Sequence, residues 1–123
     1  VTTFQPDGAA HSSIIVCGAY QDQAAFVIVR GWSVKLRNLR RDPRCSVLAV
    51  SKDWRASVTV EGEARLYDYN NTDSEEVRVM FRKVFRACGD KDHSDWEEYD
   101  QAMREQRASI VLVRPGRVYG RLP

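Results

Sequence analysis

The sequence predicts a mainly β domain, a small closed or nearly closed barrel of about six strands with short helices packed outside it. Three observations support this fold class. Six segments are rich in β-branched, aromatic or alternating residues, which is typical of strands. Only two long segments have helical periodicity. The chain has 123 residues, enough for one domain (1–123) with one core.

Turn signals separate the predicted strands. Pro6, Asp7 and Gly8 predict a tight turn, so the first two strands should form a hairpin. Gly62 falls inside the longest strand and predicts a bulge or a close approach of two backbones. The predicted strands are residues 1–4, 9–17, 24–29, 45–50, 55–66 and 108–113, the last broken at Pro115-Gly116 and resumed at 117–119.

Three helices are predicted. The first is short, because Ser33 is a favourable N-cap and Pro43 ends it. The second begins near Thr72 or Asp73 and the third opens at Ser94, each with a capping box. Each of these two helices has one apolar face, formed by Val77, Phe81, Val84, Phe85 and Cys88 in the second and by Trp96, Tyr99 and Met103 in the third.

Composition and charge exclude several function classes. The net charge of +2 gives no reason to expect nucleic acid or a membrane as partner. Three widely spaced cysteines lack metal-ligand spacing, so no metal site is predicted. Their odd number, with no signal peptide, favours a cytoplasmic location. No nucleophile elbow, Walker loop or GxGxxG motif occurs, and no catalytic residue is identified.

The basic stretch from Arg30 to Arg44 is the strongest candidate site. Lys35 and Asn38 are three residues apart and share a helical face. The free N–H groups of the first helical turn, the positive helix end and Lys35 converge on one spot, which suits a phosphate. The alternative is a surface helix whose basic side chains are merely solvated. A barrel this small is filled by its own side chains, so a coenzyme would lie outside it, in a groove between two subunits.

The same stretch resembles the coenzyme-phosphate turn of the pyridoxamine 5'-phosphate oxidase-like (PPOX) superfamily. Ser33-Val34-Lys35 opens the helix, and Asp42-Pro43-Arg44 leads into the next strand. The run from Lys35 to Arg44, together with His93–Tyr99 and Arg117–Gly120, is most similar to the actinobacterial branch that uses the deazaflavin coenzyme F420. The resemblance covers nearly the whole chain. It implies a six-stranded split β-barrel of Greek-key, FMN-binding type that forms a homodimer, with further residues before Val1.

The resemblance also implies a set of coenzyme-binding residues. In the family, the Lys that matches Lys35 holds the coenzyme phosphate. Ser33 stands where many relatives have Arg, and Arg30 is expected to compensate. The stretch from His11 to Gly18 lacks two cations of the flavin-using oxidases in this superfamily, a phosphate-binding Arg close to Ser13 and a Lys a few residues further on, which favours F420 over FMN. The predicted cofactor-binding residues are Ser12, Ser13, Ile14, Val29, Arg30, Ser33, Val34, Lys35, Asn38 and Trp54.

The function implied by the resemblance is an F420-dependent oxidoreductase. Such an enzyme transfers hydride from reduced F420, bound at the dimer interface, to an unsaturated small-molecule acceptor, and the coenzyme carries the chemistry. Two alternatives stay open. One is a non-enzymatic module of the same fold that binds a flavin, F420 or haem. The other is an FMN-dependent enzyme like pyridoxamine phosphate oxidase.

Overall fold

The computed structural model describes residues 1–89 and 91–123. None of the helices in these two segments is long and apolar enough to cross a membrane. The elements follow in the order β1 (Thr2–Phe4), β2 (Ala10–Ser12), β3 (Cys17–Tyr20), β4 (Gln23–Ile28), α1 (Val34–Arg41), β5 (Arg44–Val50), β6 (Ser57–Tyr67), α2 (Ser74–Gly89), α3 (Trp96–Glu105) and β7 (Ser109–Arg121).

The strands form one antiparallel sheet in the order β2-β1-β5-β6-β7-β4-β3, which is not closed. Its edge strands, β2 and β3, are joined only by residues 13–16. Such a linker spans at most about 18 Å, because an extended chain advances about 3.6 Å per residue. A flat sheet of seven strands would hold its edges about 29 Å apart. The sheet must therefore curl until its two edges approach each other.

The mainly β prediction is confirmed, but the described residues form seven strands where six were predicted. The difference arises because the predicted strand 9–17 is divided between two partners. Its first part, β2, pairs with β1 in the predicted hairpin, with His11 opposite Thr3. Its second part lies in β3 and pairs with β4, with Cys17 opposite Phe26. The Greek-key detail is not confirmed by this strand order.

The last strand is continuous, whereas the sequence predicted a break at Pro115. Beyond Val113, β7 has no partner in β4, so Pro115 lies where a missing N–H costs little. The predicted irregularity at Gly62 is confirmed, since the register between β6 and β7 shifts between Glu61 and Gly62. A Cβ atom at Gly62 would lie 1.8 Å from the Arg114 carbonyl oxygen, so only glycine fits there.

Strand β4 and the first part of β7, residues 109–113, are buried on both faces. Inside the curl, Phe26 and Val111 pack with Leu36 and Leu39 of α1. Outside it, Ala25 of β4 and Ile110 and Leu112 of β7 pack against the two long helices. The helix residues in this cluster are Val77, Phe81 and Val84 of α2 and Tyr99 and Met103 of α3. The apolar faces predicted for the helices therefore cover the outside of the sheet, and α1 covers one opening of its interior.

The three helices do not begin in the same way. Asp73 and Asp95 accept hydrogen bonds from the backbone N–H groups of Glu76 and Glu98. Ser33 has the extended backbone of an N-cap residue, yet its side chain makes no capping hydrogen bond. The predicted cap at Ser33 is therefore correct in position but not in bonding, which leaves the hydroxyl available for another role.

This difference predicts contrasting effects on stability. Asp95→Ala should lower the free energy of unfolding by about 1 kcal/mol, because a capping bond is lost. Ser33→Ala should change it by less than about 0.5 kcal/mol, because no bond is lost. Urea unfolding followed by circular dichroism measures both values. A loss in Ser33→Ala as large as that in Asp95→Ala would show that the hydroxyl stabilises the fold.

Candidate functional site

A groove of about 810 Å³ lies where β4 ends and α1 begins. Residues 14–16, which link β2 to β3, form one wall, and the C-terminal part of α2 with α3 forms the other. Five of the ten predicted coenzyme-binding residues line this groove: Ile14, Val29, Arg30, Ser33 and Lys35. The fold thus brings together residues 13–16 and 29–35, which are separate in sequence. Before the structure, only the resemblance to the PPOX superfamily indicated that both segments belong to one site.

One end of the groove is positively charged. Arg30 follows β4 and Lys35 lies in the first turn of α1, so both side chains border the same space. Within residues 1–89 and 91–123, no carboxylate lies within 4 Å of either cation. The first N–H groups of a helix also lack intrahelical acceptors. This end of the groove therefore attracts an anion.

Two serine hydroxyls mark the same region. The Oγ atoms of Ser33 and Ser13 are buried, and neither has a hydrogen-bond partner in the described part of the chain. A buried hydroxyl without a partner costs about 1–3 kcal/mol and calls for an explanation such as a bound ligand. Ser33 lines the groove two residues before Lys35, and Ser13 directly precedes Ile14. Ser33 thus provides a free hydroxyl on the groove lining beside the two cations, a combination that suits a phosphate, and Ser13 lies next to the lining in sequence.

The walls of the groove are mainly apolar, with Lys91 as a cation on the helical side. Ile14 is 99% exposed, Val16 is 69% exposed and Val29 is 43% exposed, which is unusual for three neighbouring aliphatic side chains. Phe85 and Met103 line the same groove from the helical side. Exposed apolar residues grouped in a groove are typical of a binding surface. A flat, largely apolar group fits between these walls.

The titratable groups in the groove are poorly suited to proton transfer near neutral pH. Burial raises the pKa of the Cys88 thiol to about 11, so it stays neutral. Burial also raises the pKa of Tyr99 well above its usual range, and its hydroxyl donates a 3.0 Å hydrogen bond to the Phe81 carbonyl. No His or carboxylate lines the groove in the described segments. The arrangement can bind and orient a ligand but offers little acid–base chemistry.

The other predicted residues lie outside the groove lining. Ser12 is exposed, and its hydroxyl pairs with that of Thr2 at 2.9 Å. Asn38 is buried, and its amide donates to the Thr3 hydroxyl at 3.1 Å. The remaining three are Ser13, adjacent to the lining; Val34, exposed at the start of α1; and Trp54, 82% exposed at the tip of the β5–β6 hairpin.

The sequence did not identify the helical wall. Phe85, Cys88, Tyr99 and Met103 were interpreted as residues of an apolar core face, and they also line the groove. Helical spacing cannot separate these two roles, because both require an apolar residue on the inner face. His93 packs against Phe85 with ring centroids 5.3 Å apart and does not line the groove. Within the described segments, His, Cys, Asp and Glu form no cluster that could hold a metal ion.

Several solved structures have a similar fold. The conserved hypothetical protein Rv2991 from Mycobacterium tuberculosis is 21% identical, with a TM-score of 0.75 over 99% of this chain and 78% of that one. A pyridoxamine 5'-phosphate oxidase-related, FMN-binding protein from Nostoc punctiforme is 15% identical, with a TM-score of 0.68 over 97% and 71%. A structure described as an F420 reductase is 14% identical, with a TM-score of 0.63 over 96% and 85%.

The sequence itself matches a family model. The match spans residues 1–121 and is to the family described as pyridoxamine 5'-phosphate oxidase. It includes both segments that border the groove from this side, 13–16 and 29–35. Because this match covers nearly the whole chain, the chain belongs to the pyridoxamine 5'-phosphate oxidase family.

Proposed function

We propose that this protein is an F420-dependent oxidoreductase that reduces an unsaturated small molecule. The observation that carries the proposal is the buried hydroxyl of Ser33, which has no partner in the described chain and lies beside Lys35 and Arg30 at the end of an apolar groove. A coenzyme with a phosphate and a flat ring system requires both of these features. Among the solved structures of similar fold, one is described as an F420 reductase.

The charged end would bind the coenzyme phosphate. The Lys35 ammonium is a compact charge that suits a phosphate oxygen, and the first N–H groups of α1 point in the same direction. Ser33 contributes a hydroxyl donor without losing a capping bond, because it makes none. Arg30 supplies the charge that many relatives obtain from an Arg at the position of Ser33.

The apolar walls would orient the ring. Ile14, Val16 and Val29 form one side, and Phe85 with Met103 forms the other, so water is kept away from the bound face. Reduced F420, when bound, supplies a hydride to the acceptor. Because the described lining lacks a His or a carboxylate, the protein contributes positioning, and water is expected to supply the proton.

F420 is preferred to FMN because the linker wall, residues 13–16, carries no cation. Ser13 and Ile14 stand close to the position where flavin-using oxidases of the superfamily have a phosphate-binding Arg. The alternative is a binding module of the same fold, which the lack of acid–base groups in the described groove favours. A third reading is an FMN-dependent oxidase. We propose a homodimer in all three cases, with the coenzyme at the dimer interface.

The first test is the affinity of Lys35→Ala for F420. Loss of a charge-assisted contact worth about 1.5–3 kcal/mol should weaken binding roughly tenfold to hundredfold. Arg37→Ala is the matched control, because Arg37 is an exposed cation on the same helix outside the groove. Calorimetric titration gives both dissociation constants. Equal affinities for the native protein and both variants would place the phosphate elsewhere.

The second test separates coenzymes and activities. F420, FMN and haem should be titrated under identical conditions, and F420 should bind most tightly. Reduced F420 should then be oxidised in the presence of 2-cyclohexen-1-one or menadione, and the rate should fall in Lys35→Ala. Tight F420 binding without turnover of any acceptor would favour the binding module. Tighter binding of FMN, with oxygen-dependent turnover, would favour the oxidase.

A further inference from the structure

We propose that Arg107, the second residue after the end of α3, is a further cation of the phosphate site and contacts the ligand phosphate beside Ser33 and Lys35. The proposal rests on the proposed function for the identity of the ligand. It adds to the site a charge from a third segment of the chain, which neither the groove lining nor the basic stretch from Arg30 to Arg44 includes.

The first observation is the backbone conformation of Arg107. Its N–H donates to the Arg104 carbonyl at 3.2 Å. The Ala108 N–H donates to the Met103 carbonyl at 3.0 Å, which completes a Schellman motif at the end of α3. Arg107 has a φ of 54° at the position that glycine usually occupies in this motif. A left-handed arginine is less favourable than glycine, and such residues are concentrated at ligand-binding sites, which indicates a role for the side chain.

The second observation is a close contact between the end of α3 and the turn that carries the charged end of the groove. The Gly31 N–H donates to the Gln106 carbonyl at 2.9 Å. A Cβ atom on Gly31 would lie 2.4 Å from the Arg107 carbonyl oxygen and 2.6 Å from the Arg107 Cβ, so only glycine fits there. Within the turn, the Ser33 N–H donates to the Arg30 carbonyl at 3.1 Å. Arg107 is therefore held against the residue that directly follows Arg30.

This contact brings the guanidinium of Arg107 within reach of the site. A carbon–carbon bond of about 1.5 Å added to the 2.6 Å separation places the Arg107 Cβ within about 4 Å of the Gly31 Cα atom. Ser33 is two residues further on, at most about 7 Å away along the chain. The guanidinium lies at the end of a long, flexible stem. Arg107 is exposed and does not itself line the groove, so its side chain turns towards Ser33 on binding, and exposed side chains change rotamer within nanoseconds.

The third observation is the balance of charge around the turn. Among the residues that the structure describes, no carboxylate lies within 4 Å of Arg30, Lys35 or Arg107. Unpaired cations that are close together repel one another, and a bound phosphate relieves this repulsion. The Lys35 ammonium is a single point charge, whereas a planar guanidinium can donate to two phosphate oxygens at once. Arg107 therefore complements the groups that α1 contributes.

The alternative role for Arg107 is to stabilise the end of α3 and nothing more. A cation near a helix C-terminus interacts favourably with the helix dipole, and this role needs no ligand. The two roles predict opposite results. If the side chain only stabilises the helix, its removal lowers stability and leaves affinity unchanged. If it binds phosphate, its removal lowers affinity, and glycine keeps or raises stability because it accepts the left-handed backbone.

The direct test is the variant Arg107→Gly. Its affinity for F420 should fall roughly threefold to tenfold, less than in Lys35→Ala, because Arg107 is the more exposed cation. Its melting temperature should stay the same or rise, since glycine is the usual residue of this motif. Calorimetric titration and thermal unfolding measure the two quantities. Unchanged F420 affinity in Arg107→Gly would overturn the proposal, and a loss of affinity in Lys35→Ala alone would leave the proposed function intact.

Three further variants separate the effect of charge from that of the backbone. Arg107→Lys should regain part of the affinity, because it restores a cation. Arg107→Asn, which also tolerates positive φ, should bind F420 as weakly as Arg107→Gly. Gln21→Gly is the matched control, because Gln21 has a φ of 51° between β3 and β4 and does not line the groove, so its affinity should not change. An equal loss in Gln21→Gly and Arg107→Gly, or no recovery in Arg107→Lys, would refute the role of the charge.

A measurement without the coenzyme separates this proposal from the proposed function. Inorganic pyrophosphate should raise the melting temperature of the native protein, by a smaller amount in Arg107→Gly and by the smallest amount in Lys35→Ala. Equal stabilisation of the native protein and Arg107→Gly, with less in Lys35→Ala, would contradict the assignment of Arg107 alone. Failure of the native protein to bind F420 would contradict the proposed function, and the pyrophosphate series would still decide whether Arg107 belongs to an anion site.

Discussion

The burial of β4 and of residues 109–113 of β7 on both faces is the constraint on which the structure depends. Phe26 and Val111 face the interior of the curled sheet, and Ala25 and Ile110 face α2 and α3. Each strand must therefore be covered twice, once by the curl and once by helices. The curl also follows from the chain itself, because residues 13–16 connect the two edge strands over a short distance.

The groove is a consequence of this arrangement. Where β4 ends at Ile28, the chain turns into α1 to cover one opening of the interior, and the outer helices reach their ends nearby. The linker, the first turn of α1 and the end of α2 therefore border one space that no element fills. Ser33 begins α1 without capping it, which leaves a buried hydroxyl beside Lys35. The fold thus creates an anion site next to apolar walls.

Much of the fold could be predicted from the sequence, because its signals are local. Turn residues Pro6 to Gly8, the capping residue Asp73 and the apolar faces of α2 and α3 each depend on neighbours within a few positions. The division of strand 9–17 between two partners could not be predicted, because strand pairing depends on contacts between distant segments. The uninterrupted β7 was missed for the same reason, since Pro115 is tolerated only because β4 ends before it.

The candidate site was predictable only in part. Lys35 and Ser33 were identified through a local motif, and they do border the groove. Asn38 was predicted to share a helical face with Lys35, but its side chain is buried and donates a hydrogen bond to the Thr3 hydroxyl. Phe85 and Met103 were not identified as site residues, because the helical spacing of apolar residues is the same in a core and in a groove wall. Trp54 was predicted as a coenzyme contact, but it is exposed at the tip of the β5–β6 hairpin and does not line the groove.

A crystal structure of the protein with F420 tests the central claim most directly. The phosphate should lie in the groove with its oxygens about 2.7–3.0 Å from the Lys35 Nζ and the Ser33 Oγ, as charge-assisted hydrogen bonds require. The ring should lie between the linker wall and Phe85. A phosphate bound away from α1, or a groove that stays empty at saturating F420, would contradict the assignment of this groove as the coenzyme site.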